Sequence, residues 1–324
     1  MFAVEISEPG GPQVLRWREM ADVVPGPGEV LIEVAAAGVN RADLLQRQGH
    51  YPPPPGASEV PGLECSGTVA AVGGDVTAWQ VGDRVCALLS GGGYAERVVV
   101  DAGLVLPVPN EVDLVDAAGL PEAAATVWSN VFDIAELDKG QSLLVHGGAG
   151  GIGTIAIQLA TVLGARVLTT ARADHDEALR RLGAELIIDY RDQDFVAVVA
   201  DHTDNRGVDV ILDNMGASYL ERNIESLAFD GRLAVIGMQG GRSAKLNLGA
   251  LLGKRGRISA AGLRARPLME RIRIIDAVAR EVWPLVARQL VKPVIAQRIP
   301  LSEAPAAHEA MEAGGHLGKI LLTR

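Results

Sequence analysis

The chain has 324 residues, 48% of them hydrophobic and 22% charged, with a formal net charge of −10. That length predicts two domains, with ample chain to bury a core. The acidic balance argues against a general nucleic-acid binder, because neutralising phosphates needs clustered Lys and Arg, and the one short basic cluster, "GKRGR" (Gly253–Arg257), reads as a solvated turn.

The N-terminus "MFAVEISEPGGP" carries Glu5 and Glu8 and lacks the basic-then-apolar pattern of a secretion signal. The first hundred residues are rich in short strands and turns: "EVLIEVAAAGV", "SGTVAAVGGDV", "GDRVCALL" and "YAERVVV". Such spacing predicts a barrel or folded sheet. "NRADLLQRQGHY" (Asn40–Tyr51) is helix-like, and "PPPPG" (Pro52–Gly56) halts it, because proline has no amide donor and a fixed φ. Cys65 and Cys86, the only cysteines, lack CxxC spacing and read as packed small hydrophobes in a reduced, cytoplasmic protein.

From about Pro121 the texture changes. "PEAAATVWSNVFDIAEL" is helical, and strands then alternate with helices as far as "GRLAVIGM". Alternation of that kind predicts a doubly wound parallel sheet with helices on both faces, an α/β class. A long helical stretch, "RPLMERIRIIDAVAREVWPLVARQ", follows Gly262, and the tail reads strand, helix, strand. The tail is too short for a domain of its own, so it is expected to return to the first one. The expected division is 1–121 with 263–324, and 122–262. No apolar run reaches the roughly 18 residues of a membrane-spanning helix, so no membrane partner is expected.

"GAGGIG" matches G-x-G-x-x-G with Gly148, Gly150 and Gly153, and it stands between an apolar strand (Leu143–Val145) and an amphipathic helix. In that context the glycines supply a tight turn, bare backbone beside a pyrophosphate, and close helix–strand contact. Gly151 and Ile152 open the helix, whose N-terminus offers amides to phosphates. An acid that would accept a ribose 2′-hydroxyl belongs about 20 residues later. Thr170–Arg172 stand there instead. A neutral site with Arg172 as a planar fork suits a 2′-phosphate and favours NADPH over NADH. Asp174 and Asp176 lie close by and read as helix caps and partners of the helix dipole, while His175 is a candidate second donor.

The order of the two textures, the returning tail, and the stretches "NRADLLQRQGHYPPPPGAS" (Asn40–Ser58), "ALLSGGG" (Ala87–Gly93), "GLPEAAAT" (Gly119–Thr126), "LAFDGRLAVIG" (Leu227–Gly237) and "LLGKRG" (Leu251–Gly256) resemble the medium-chain dehydrogenase/reductase superfamily. Within it the chain is similar to the zeta-crystallin-type quinone oxidoreductases, above all their tumour-suppressor-inducible subgroup. The resemblance implies a Rossmann domain plus a β-rich GroES-like catalytic domain. It also implies a zinc-free member: Asn40 stands where the alcohol dehydrogenases of the superfamily place a cysteine ligand, and Leu63 where they place a histidine. It further implies that Tyr51 lines the catalytic cleft, Thr126 lies near the nicotinamide and Tyr190 by the adenosine. Met215, Gly216, Gly237, Met238 and Leu263 follow later strands, at the carboxyl edges where such sheets bind ligands. Two departures stand out: the subgroup has lysines where His175 and Asp176 occur, and a serine where Gly150 occurs.

Hydride delivered to a carbonyl leaves charge on oxygen, which zinc would stabilise. Without the metal, the acceptor must spread that charge itself, as a quinone or a conjugated alkene does. Three functions stay open: an NADPH-dependent quinone oxidoreductase, by one- or two-electron reduction; an enoyl or enone reductase; and a cofactor binder without strong activity. Tyr51 is the candidate donor to the developing oxyanion. Asn40 orients cofactor or substrate, or caps its helix, and Asp43 tethers that helix to backbone or to Arg41 and is no general acid. The expected partners are a small-molecule quinone or conjugated carbonyl and a second copy of the chain, paired through "GRLAVIGM" if that strand lies at the sheet edge.

Overall fold

The computed structural model describes residues 1–324. Its elements begin with strands β1 (Phe2–Ile6), β2 (Leu15–Glu19) and β3 (Glu29–Gly38), helix α1 (Arg41–Arg47), and strands β4 (Glu64–Val72), β5 (Arg84–Leu88), β6 (Arg97–Asp101) and β7 (Val105–Pro107). Helix α2 (Pro121–Val127) runs on into a π-helical stretch, Trp128–Ile134. Alternation follows: β8 (Ser142–His146), α3 (Gly151–Val162), β9 (Arg166–Ala171), α4 (Asp176–Arg181), β10 (Leu186–Asp189), α5 (Phe195–His202) and β11 (Val208–Asp213). Then come α6 (Leu220–Ser226), β12 (Leu227–Val235), α7 (Leu248–Lys254) and β13 (Arg257–Ala260). The chain ends with α8 (Leu268–Glu281), α9 (Trp283–Ala287), β14 (Ile295–Pro300), α10 (Ala304–Ala313) and β15 (Lys319–Thr323).

Two units result. The first holds Met1–Ala125, Leu263–Gln289 and Pro293–Arg324; the second holds Thr126–Gly262 and Leu290–Lys292. In the first, β14, β15, β3, β4, β5 and β7 lie side by side in that order, β6 also pairs with β3, and β1 pairs with β2. Strand β15 runs antiparallel to β3, placing Leu321 opposite Gly38. The tail thus supplies two strands of this sheet. Helices α8 and α9 form where one long helix is expected; Pro284, which lacks an amide hydrogen, stands in the first turn of α9.

The second unit is a parallel sheet in the order β10-β9-β8-β11-β12-β13. Every residue of β8 is buried, as befits a strand covered by helices on both faces. Leu144, Leu168, Ile188, Phe195, Val199, Ile211 and Leu233 are all fully or almost fully buried and form its core. Order reverses between β8 and β11, the crevice where sheets of this class take ligands. One expectation needs correction. Strand β12, which contains "GRLAV", pairs with both β11 and β13, so the sheet edge is β13. The short sequence "RISA" has too little alternation to announce an edge strand. No helix is long and apolar enough to cross a membrane.

Candidate functional site

Strand β8 ends at His146, and the chain turns through Gly147–Gly150 into α3. A side chain at Gly148 would put its Cβ 2.0 Å from Thr169 Oγ1, and one at Gly153 would lie 2.4 Å from Gly147 O. Both positions therefore demand glycine for the protein's own packing. Gly150 differs: its nearest neighbour would be 3.4 Å away and its φ is −74°. Nothing inside the chain requires glycine there, and the bare backbone at the start of α3 is what a close-lying pyrophosphate would need. The N–H groups of Gly151, Ile152 and Gly153 open a twelve-residue helix and lack helical partners. The cradle fits a dinucleotide.

Strands β9 and β10 pair with Ala171 opposite Asp189. The residues that follow, Arg172 and Tyr190, are therefore neighbours, and Arg172 Nε reaches the Tyr190 hydroxyl at 3.4 Å. No carboxylate meets Arg172. Asp174 and Asp176 stand in the Ala173–His175 turn and in the first turn of α4, where acids suit the helix dipole, but neither side chain caps: Arg191 engages Asp174 at 3.4 Å and Arg180 engages Asp176 at 2.8 Å. Asp189, held well below the usual carboxylate range chiefly by Arg191, accepts the Ala173 amide and fixes the turn. His175 Nε2 is screened from solvent and has no partner. An exposed phenol, an unpaired guanidinium and an orphan imidazole nitrogen thus sit at adjoining strand ends.

The loop after β11 is tied by Asp213, which accepts the Met215 and Gly216 amides at 2.7 and 3.0 Å. Gly216 has φ +73°, the left-handed region glycine favours. A Cβ at Gly237 would come 2.8 Å from Asn214 O, and Met238 is exposed. Asn214 was not singled out from sequence. Its side chain abuts Gly147 across the order reversal, and its Oδ1 is screened and unpartnered. Thr126 is buried at the start of this unit and accepts from Asn130 Nδ2 at 2.9 Å. Leu263 is also buried, but it belongs to the first unit.

In the first unit, β3 leads through Asn40 into α1. The Asn40 amide is committed at both ends: Nδ2 donates to Glu64 Oε1 at 3.0 Å and Oδ1 accepts from Lys319 Nζ at 2.6 Å. Lys319 also pairs with Glu64 and lies 3.6 Å from Glu122. Burial opposes its charge, but Glu64 and Glu122 outweigh burial and hold its pKa above the usual lysine value. Asn40 is the N-cap of α1, its other expected role, and its side chain is committed within this buried ionic cluster. Asp43 accepts from the Asn40 and Gly62 amides and from the Tyr94 hydroxyl, and makes no bond to Arg41. Tyr51 follows α1. Burial pushes its hydroxyl above the ordinary value, with Arg264 opposing and Glu122 reinforcing, so it is a protonated donor at neutral pH. Arg264 donates to the Tyr51 carbonyl at 3.3 Å, and its guanidinium carbon lies 5.4 Å from the ring centroid.

Sequence profiles match two stretches: residues 26–110 the alcohol dehydrogenase GroES-like domain, and residues 182–322 a family described as zinc-binding dehydrogenase. Quinone oxidoreductase of Rattus norvegicus is 31% identical over 99% of this chain and 97% of its own length. The chain belongs to the zinc-free quinone oxidoreductase type of the medium-chain dehydrogenase/reductase superfamily. This medium-chain reductase is also 32% identical to 2-haloacrylate reductase of a Burkholderia species, over 99% of the chain and 98% of that protein. A mycobacterial structure solved with NADPH superposes with a TM-score of 0.90 at 32% identity, covering 100% of both chains. A polyketide synthase subunit of Mycobacterium tuberculosis matches at 33% over 99% of the reductase, which spans only 15% of that protein. Although one profile carries zinc in its description, this reductase places Asn40 and a buried Leu63 at the ligand positions. No three histidine, cysteine or carboxylate side chains converge on a common point.

Proposed function

We propose that the protein is an NADPH-dependent reductase of quinones that works without a metal. One observation carries the reading: the Asn40 oxygen, at the position of a zinc ligand in the related alcohol dehydrogenases, already receives the Lys319 ammonium. An ammonium held at that oxygen repels a second cation, and no three ligand side chains converge beside it. The acceptor must then delocalise incoming charge through its own π-system, as a quinone does.

Bound NADPH supplies the hydride. The chain's residues bind, orient and donate. The α3 amides and Gly148–Gly153 take the pyrophosphate; Arg172, Tyr190 and His175 take the 2′-phosphate; Met215, Gly216, Gly237, Met238, Thr126 and Asn214 border the remaining length. Leu263 is a further cofactor residue in this reading. Tyr51 holds its proton and donates it as a hydrogen bond to the acceptor oxygen as charge develops. The NADPH-bound mycobacterial neighbour supports the choice of cofactor.

A conjugated alkene is the second acceptor class, supported by the likeness to 2-haloacrylate reductase. A homodimer remains part of this reading, through the edge strand β13 beside the exposed Leu248 and Leu252 of α7. Oxidation of NADPH and NADH with an ortho-quinone, compared in wild type, Arg172→Ala and Tyr51→Ala, tests the assignment. Arg172→Ala should lower kcat/KM for NADPH about tenfold and leave NADH unchanged, the weight of one charge-assisted contact. Tyr51→Ala should lower turnover with either cofactor. An unchanged rate in the second variant removes Tyr51 from the reaction.

A further inference from the structure

The first unit contains a cavity of about 730 Å³, within the size range of small-molecule sites. Although the chain carries a net charge of −10, four arginines line this one space, Arg97, Arg264, Arg266 and Arg271, against two carboxylates, Glu29 and Asp101. Two of the four are tied up at its rim: Arg97 pairs with Asp22 and Arg266 with Glu270.

The other two are built differently. Arg264 is buried and Arg271 half-buried, and both are anchored on one residue: Arg264 Nε donates to Ser90 O at 2.8 Å, and Arg271 Nη1 donates to Ser90 Oγ at 2.5 Å. The further bonds of Arg264 go to Gln46 Oε1 and the Tyr51 carbonyl, so every partner of the pair is neutral. Arg271 Nε is shut off from solvent and bonds to nothing. Burial lowers both guanidinium pKa values; Asp43, Tyr51 and Glu59 oppose it at Arg264, and Asp101 opposes it at Arg271. Two desolvated guanidiniums anchored on the same residue, neither in an ion pair, are costly unless an anion arrives. The wall also carries Ser58 and an apolar stretch made by Pro54, Pro55, Val60, Val99 and Leu268. An apolar surface ending in paired forks matches a molecule with a hydrocarbon body and an oxyanion terminus.

We infer that the cavity takes the acidic tail of the acceptor: a conjugated carbonyl compound whose apolar chain lies on the proline wall and whose carboxylate or phosphate is held by Arg264 and Arg271. The link to the acceptor rests on the reading of Tyr51 given above, since Arg264 joins Tyr51 to the cavity; the oxyanion site itself does not.

Calorimetry on the full chain tests the site with three non-reducible probes: 6-phenylhexanoate, 6-phenylhexyl phosphate and methyl 6-phenylhexanoate. At least one of the two anions should bind about tenfold or more tighter than the ester, the weight of one desolvated charge-assisted contact, and which anion wins identifies the terminus. In Arg271→Met that preference should collapse to about parity. Equal binding of all three probes, or of none, overturns the site, and this wild-type comparison stands even if the variant fails to fold. Turnover separates the two claims. Should quinones be reduced while the anions show no advantage, the tail site falls and the quinone reading stands. Should the anions bind while neither simple nor acid-bearing quinones are reduced, the site stands and its assignment to the acceptor falls.

Discussion

Strands β8 and β3 each feed directly into a helix, and the two junctions are finished in opposite ways. After β8 the chain spends Gly147, Gly148 and Gly150 on the turn, and the first amides of α3 meet no side chain. After β3, Asp43 closes on the Asn40 amide, Gly62 donates to the same carboxyl, and Asn40 is gripped between Glu64 and Lys319. One junction leaves backbone donors for a ligand; the other uses them up within the fold. A strand-to-helix joint becomes a cradle or a clamp according to whether side chains reach its open amides.

The sharpest way to break the contrast is to remove the cation of the clamp. Lys319→Met strands Glu64 as a buried carboxylate and should destabilise the protein by about 3–5 kcal/mol in urea unfolding. The double variant Lys319→Met/Glu64→Gln should recover much of that loss. A loss under about 1 kcal/mol in the single variant would mean that the cluster contributes little.

Asp43 sharpens the same side through pH. Burial pushes its carboxyl from 3.8 up to about 6, against the hydrogen bonds from Asn40, Gly62 and Tyr94. A raised folded pKa means the folded state binds the proton more tightly. The stability this group contributes is therefore fully present below about pH 4 and lost as pH rises through 6. The stability of wild type relative to Asp43→Asn should fall by roughly 2–3 kcal/mol between pH 4 and 7. A difference flat with pH would contradict it.

The cradle responds to bulk instead. Gly153→Ala forces a methyl against Gly147 O and should cost about 1–3 kcal/mol as well as cofactor binding. Gly150→Ala meets nothing closer than 3.4 Å and should leave the melting temperature nearly unchanged while weakening NADPH. If both variants lose stability alike, the middle glycine serves the fold and not the ligand.

These differences also explain what could be read in advance. Glycines at fixed spacing and an absent acid are local facts, so the turn at Gly148–Gly153 and the place of Arg172 were legible along the chain. The Glu64–Lys319 pair spans 255 positions and has no local signature. Asp174 is met by Arg191 across 17 positions, which no local pattern announces, whereas the Asp176–Arg180 pair is an i,i+4 helix contact open to sequence reading. The segment "FVAVVADH", rich in β-branched valines, nevertheless forms α5, where Asp194 accepts the Val196 amide and Phe195 and Val199 fill the core. Tertiary burial overrode propensity there.

The central claim is hydride transfer to a self-activated acceptor without a metal. Its most direct test is NADPH oxidation with 1,2-naphthoquinone by the full chain, before and after exhaustive dialysis against a chelator. The account predicts steady turnover of the same size in both samples, with NADPH preferred to NADH by about tenfold. Turnover that vanishes on dialysis and returns with added zinc would contradict it.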